Sequence, residues 1–106
     1  MKKLNFSKEY KKILASGKKK TTIRLKTNLR RGDKALVIVG GEKIGIAKIM
    51  AVSKKKFSEL TLKDAKMDGF KTLKELRKAL EKHYGRISPN TELKIIHFKL
   101  KMKGTK

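Results

Sequence analysis

Three lysines, two hydroxyls and a guanidinium crowd into K-K-K-T-T-I-R, residues 18–24. Neighbouring ammonium groups repel one another, and that repulsion destabilises the fold unless an anion relieves it. Gly17 closes the helical stretch before them, so the lysines fall on a connection. The strand pattern that follows sends Thr22 and Arg24 to one face and Ile23 and Leu25 to the other. Lysine meets phosphate as a point charge, arginine offers a fork of N–H groups, and a hydroxyl can donate or accept. Lys18, Lys19, Lys20, Thr22 and Arg24 therefore read as a cationic cleft suited to a phosphate or a polarised carbonyl. Arg30, Arg31 and the run Lys54, Lys55, Lys56 are placed to clamp a polyanion backbone.

The rest of the composition supports such a partner. The chain has 106 residues, with 31 Lys and Arg against 9 Asp and Glu, a formal charge of +22. A hydrophobic share of 38% still supplies a core, so the charge belongs to the surface of a single domain over residues 1–106 rather than to a disordered tail. Of the basic residues 26 are lysine and 5 arginine, which favours backbone or shape-driven binding over reading of base edges. No apolar run is long enough to span a bilayer and no secretory pattern follows Met1, so we expect a cytoplasmic protein without membrane attachment. Cysteine is absent and the two histidines, His83 and His97, stand far apart, so neither a metal site nor another cofactor is expected. Asp33, Asp68 and Glu75 are too few and too scattered to argue for a metal-dependent nuclease. Glutamine is missing and lysine abundant, as in heat-adapted proteins.

The elements that must position these groups can be read from spacing. K-K-L-N-F (2–6) reads as a strand, and Ser7 as the cap of a helix whose apolar face is Tyr10, Ile13 and Leu14. Asp33 belongs to a turn before the apolar strand 34–40, and Gly40-Gly41 reverses the chain into a long strand over 43–56, bent at its glycine and alanines. Thr61 with Asp64, and Thr72 with Glu75, have the spacing of capping boxes, which starts helices over 62–68 and 73–84. Leu73, Leu76, Leu80 and Tyr84 make the second helix's apolar stripe, and Phe57 and Tyr84 are assigned to the core. The segment 92–102 alternates, with Ile96, Phe98, Leu100 and Met102 inward and His97 outward, the pattern of a half-buried strand. Strands joined mostly by turns with about three helices define an α+β fold, a small antiparallel β-barrel.

Taken together, G-K-K-K-T-T-I-R (17–24), R-G-D (31–33), G-I-A-K-I (45–49), F-S-E-L-T-L-K-D-A-K-M-D-G-F (57–70), L-K-E-L (73–76) and I-I-H-F (95–98) resemble the ASCH domain of the PUA-like superfamily. The resemblance runs over nearly the whole chain. It implies a barrel with a cleft beside the lysine-threonine-arginine element and a role in RNA binding. Some members hydrolyse acetylcytidine, and the resemblance places their lysine, threonine and carboxylate at Lys19, Thr22 and Asp68. Asp68 stands where those members carry Glu, and Asp68-Gly69 is also a helix-ending turn. Lys18 and Lys20 beside Lys19 would lower its pKa and yield some neutral amine as nucleophile or base. Two functions follow as expectations: a small RNA-binding module holding backbone or an exposed nucleotide, and an amidohydrolase acting on a nucleoside.

Overall fold

The computed structural model describes residues 1–103; the last three of the expected 1–106 domain lie outside the described residues. Five strands, β1 (Lys2–Phe6), β2 (Thr21–Arg24), β3 (Lys34–Val39), β4 (Glu42–Lys56) and β5 (Glu92–Met102), form one sheet in the order β1-β3-β4-β5-β2. Three helices, α1 (Lys11–Ala15), α2 (Leu62–Met67) and α3 (Leu73–Tyr84), complete the α+β fold. The sheet is antiparallel except for β1 on β3, which pair in parallel, so the expected antiparallel barrel needs that one correction. A parallel neighbour needs a crossover, and the segment from the 3-10 turn Lys8–Tyr10 through α1 and β2 supplies it.

Strand β4 curls the sheet. Its register slips against β3 between Val37 and Ile38, and against β5 between Ile49 and Ala51. Each slip is a bulge that bends the strand and increases its twist. Gly45 sits at the first one because a Cβ there would run into the carbonyl oxygen of Lys101. The result is a half-barrel with β1 and β2 at its two open edges.

Two apolar clusters fill the fold. Leu4, Val37, Ala47, Ile49, Ile96 and Phe98 belong to the one inside the curl, and Ile23, Ala65, Leu76, Leu80, Leu93 and Ile95 to the one that joins α2 and α3 to the sheet. Strand β5 therefore corrects the half-buried expectation. Leu93, Ile95 and Ile96 are all buried, because the helices cover the face that alternation alone assigns to solvent. Alternation returns at Lys99 and Lys101, beyond the helical cover.

Local capping follows the sequence in part. Thr61 and Asp64 form a reciprocal capping box at α2, whereas at α3 only the Thr72 half forms, its hydroxyl accepting from the Glu75 amide. Ser7 makes no side-chain cap, and the expected first helix divides into a 3-10 turn, Lys8–Tyr10, and the short α1. Asp33 is turn chemistry as expected, with its carboxylate accepting from the Arg30 amide and from Lys2. No helix among the described residues is long and apolar enough to cross a membrane.

Candidate functional site

The open seam between β1 and β2 holds a pocket of about 250 Å³. Arg24 bridges the seam: its guanidinium lies 5.2 Å from the Phe6 ring centre and donates to the Asn5 carbonyl across the gap. Its Nε donates to Thr22 Oγ1 at 3.0 Å, fixing the two side chains on the same strand face, as the alternation of β2 requires. Helix α3 closes the far side with Leu76, Leu80, His83 and Tyr84.

Lys19 enters this pocket because its neighbours are pinned. The Lys20 amide donates to the Met67 carbonyl at 2.8 Å and the Lys20 carbonyl accepts from Phe98 at 3.1 Å, so the one side chain between two exposed lysines turns inward. Lys19 is 5% exposed. Its Nζ stands 3.1 Å from Asp68 Oδ2 and donates to the Asp68 carbonyl at 3.1 Å. The ring centre of Tyr10 lies 5.1 Å away, and those of Phe6 and Phe70 each 5.9 Å away, distances at which aromatic faces attract a cation.

Asp68 is the capping residue at the end of α2 and is 4% exposed. Its Oδ1 accepts from Thr21 Oγ1 at 2.9 Å, so both oxygens are engaged. The next residue makes this approach feasible: Gly69 takes a φ of +93°, and a Cβ there would stand 2.5 Å from Ile13 Cδ1. The aspartate thus reaches the lysine despite its short side chain.

Burial pushes the Lys19 ammonium below its ordinary pKa, and Arg24 adds to that, while Asp68 works against both. Burial likewise raises the Asp68 carboxyl, opposed by Lys19, by the Thr21 hydroxyl and by Arg24. The sequence-based direction for Lys19 is right but its cause is not: desolvation does it, and the neighbouring cation is Arg24 rather than Lys18 or Lys20. Two buried groups of opposite sign, each pushed toward neutrality by burial and toward its charged form by the other, form a coupled pair.

Chemically, the pocket offers one unengaged N–H of Lys19, the outer N–H groups of Arg24 and the Thr22 hydroxyl as donors, Asp68 as acceptor, and aromatic faces around them. Such a set suits a flat, polar ring carrying carbonyl and amino groups. The pocket lies just under the ~300 Å³ at which drug-sized sites begin, so its volume is that of a small fragment.

The structure gathers Lys19, Thr22, Arg24 and Asp68 here, and not the other basic candidates. Lys18 and Lys20 face a separate groove, Arg30 and Arg31 lie on the exposed turn before β3, and Lys54 and Lys56 sit exposed at the end of β4. Lys55 is occupied by Asp64 at 2.7 Å. Four contributors escape the sequence reading. Tyr10 patterns on the apolar face of the first helix, Phe70 appears only within the 57–70 motif, and Thr21 alternates away from Thr22. His83, read as a helix-end residue, stands with Nε2 3.3 Å from the Tyr10 hydroxyl at the pocket mouth. Tyr84 is 36% exposed and lines the pocket, which corrects its assignment to the core; Phe57 does pack on the second cluster.

The family model of the ASCH domain matches residues 2–101, and the chain belongs to that family. The ASCH domain structure from Lactobacillus crispatus JV V101 is similar over 87% of this chain and 70% of that one, with 19% identity and a TM-score of 0.76. The structure of protein EF3133 from Enterococcus faecalis V583 covers 100% of this chain and 84% of its own, with 14% identity and a TM-score of 0.74. That of hypothetical protein PH0355 covers 95% of this chain and 100% of its own, with 21% identity and a TM-score of 0.68. These likenesses are of fold. No curated protein matches the chain in sequence.

Proposed function

We propose that this chain is an RNA-binding module that seats one unstacked nucleotide in the seam pocket. The observation that carries the reading is the convergence of Lys19, Thr22, Arg24 and Asp68 with the rings of Tyr10, Phe70 and Tyr84 around a space of nucleoside size. Single-stranded RNA is recognised through bases turned out of the stack, laid on aromatic faces and hydrogen-bonded at their edges. A formal charge of +22 supplies the long-range attraction that a polyanion needs. The test is the affinity of a short single-stranded RNA for the wild type and for Thr22→Val. The variant keeps the fold and removes the hydroxyl; a loss of about fivefold or more is the expected cost of one hydrogen bond. Equal affinities would take the nucleotide out of the pocket.

A second reading, hydrolysis of an acetylated cytidine, is favoured by one observation of its own, the buried Lys19–Asp68 pair beside Thr22. An amine held below its ordinary pKa in such a setting serves as a base or nucleophile, with the Asp68 carboxylate 3.1 Å away to orient it. Incubation with acetylcytidine and measurement of released cytidine decides it. Turnover that disappears in Lys19→Ala, with the variant's fold verified by circular dichroism, makes the protein an enzyme; no turnover in the wild type leaves binding as the function.

A further inference from the structure

We propose that the open groove on the other side of the Lys19–Asp68 wall is a second binding site, one that holds the sugar-phosphate backbone of the RNA whose nucleotide enters the seam pocket. The groove has a volume of about 1020 Å³ and is walled by Lys18, Lys20, Lys63, Lys66 and Lys71 over a floor that includes Ile13 and Met67. This inference rests on the RNA reading and extends it to a different surface.

The lysines come from three places in the chain and meet only through the fold. Lys18 and Lys20 flank the inward-turned Lys19 on the connection into β2. Lys63 and Lys66, three apart on α2, share a helix face. Lys71 follows the turn at Gly69. The wall between groove and pocket is held by the Lys20 amide on the Met67 carbonyl at 2.8 Å and by the close approach of Gly69 to Ile13.

Charge complementarity identifies the occupant. No carboxylate lines the groove, and among the described residues none of these five ammonium groups forms an ion pair. Elsewhere the scarce acids are used to neutralise lysines, at Lys2, Lys11, Lys55 and Lys94. Five unneutralised cations around one depression raise the local potential and concentrate a polyanion there. The five ammonium groups share one depression with Ile13, Met67, Leu62 and Phe70, an arrangement that receives a threaded polyanion chain. Leu62, 49% exposed, and Phe70 add apolar surface for sugar or base. Phe70 lines both spaces, so a strand can place a base on one side of that ring and its neighbouring phosphates on the other.

The experiment measures binding of a labelled single-stranded oligouridylate across a salt series, with cytidine binding followed separately by NMR. The groove variant is Lys18→Gln/Lys20→Gln/Lys63→Gln/Lys66→Gln. The control, Lys34→Gln/Lys48→Gln/Lys99→Gln/Lys101→Gln, removes the same charge from exposed positions on β3, β4 and β5. Each lost phosphate contact flattens the log–log salt slope by about 0.7, so the groove variant is expected to flatten it by about 2 to 3 and to lose at least about tenfold in affinity, with cytidine binding unchanged and the control much less affected. Equal losses in the two variants would overturn the groove in favour of diffuse surface charge. A wild type that binds cytidine but gains nothing from the oligomer would overturn the groove while sparing the pocket, and one that binds neither would overturn both. Loss of binding to phosphatidylserine vesicles without loss of RNA affinity in the groove variant would assign the groove to a membrane.

Discussion

The Lys19–Asp68 pair is expected to cost stability when halved and very little when replaced whole. At a separation of 3.1 Å and an effective dielectric of about 20, the attraction between the two charges is about 5 kcal/mol. Desolvating each ion costs several kcal/mol, which offsets most of that gain. Lys19→Met keeps an apolar stem against Tyr10 and Phe6 but leaves Asp68, 4% exposed, with the Thr21 hydroxyl as its remaining side-chain partner. The expected loss is about 3–5 kcal/mol, a large part of the roughly 5–15 kcal/mol that holds a domain together. Adding Asp68→Asn preserves an acceptor for Thr21 and removes the stranded charge, so the double variant should recover most of the loss. Because burial already raises the Asp68 carboxyl, the folded single variant takes up a proton above the unfolded value, and its deficit should shrink as pH is lowered from about 7 toward about 5. Urea unfolding followed by circular dichroism at both pH values measures all of this. A single-variant cost under about 1 kcal/mol, or a double-variant cost equal to the sum of the two single ones, would refute the buried, coupled pair. The expected result also means that packing alone would favour apolar residues here, and that the charges serve the pocket.

Other perturbations test the frame around the site. Gly69→Ala puts a Cβ 2.5 Å from Ile13 Cδ1 at a φ of +93°, so a loss of about 1–3 kcal/mol is expected, readable as a fall in Tm; an unchanged Tm would show that Ile13 yields freely. Thr61→Ala removes the hydroxyl half of the α2 capping box and should cost about 1 kcal/mol, or roughly 4–8 °C in Tm for a domain of this size. Burial works to raise the Asp64 carboxyl, yet the hydrogen bonds from Lys55 and Thr61 outweigh it and hold it below the ordinary range. Its contribution is therefore complete above the unfolded pKa and lost as pH falls through the folded one, and Asp64→Asn should flatten the acid limb of a Tm-against-pH profile.

Local signals in the chain were enough for most of the elements and for Thr22 and Arg24 among the site's polar groups. Alternation placed Thr22 and Arg24 on one face of β2, the Thr61–Asp64 spacing started α2, and Gly40-Gly41 turned β3 into β4, because each depends on contacts a few residues apart. The resemblance to the ASCH domain singled out Lys19 and Asp68, which lie 49 positions apart. What local spacing could not say is which of three consecutive lysines turns inward. That was decided by the hydrogen bonds of Lys20 to Met67 and Phe98, both distant in the chain, and it left Lys18 and Lys20 on a different surface from Lys19. In the same way Ile95 and Leu93 looked free to face water until α2 and α3 covered them, and Tyr10 and Tyr84 looked like core until the seam between β1 and β2 stayed open. Periodicity reports which face of an element is apolar; only tertiary packing decides whether that face meets a core, a helix or a ligand's space.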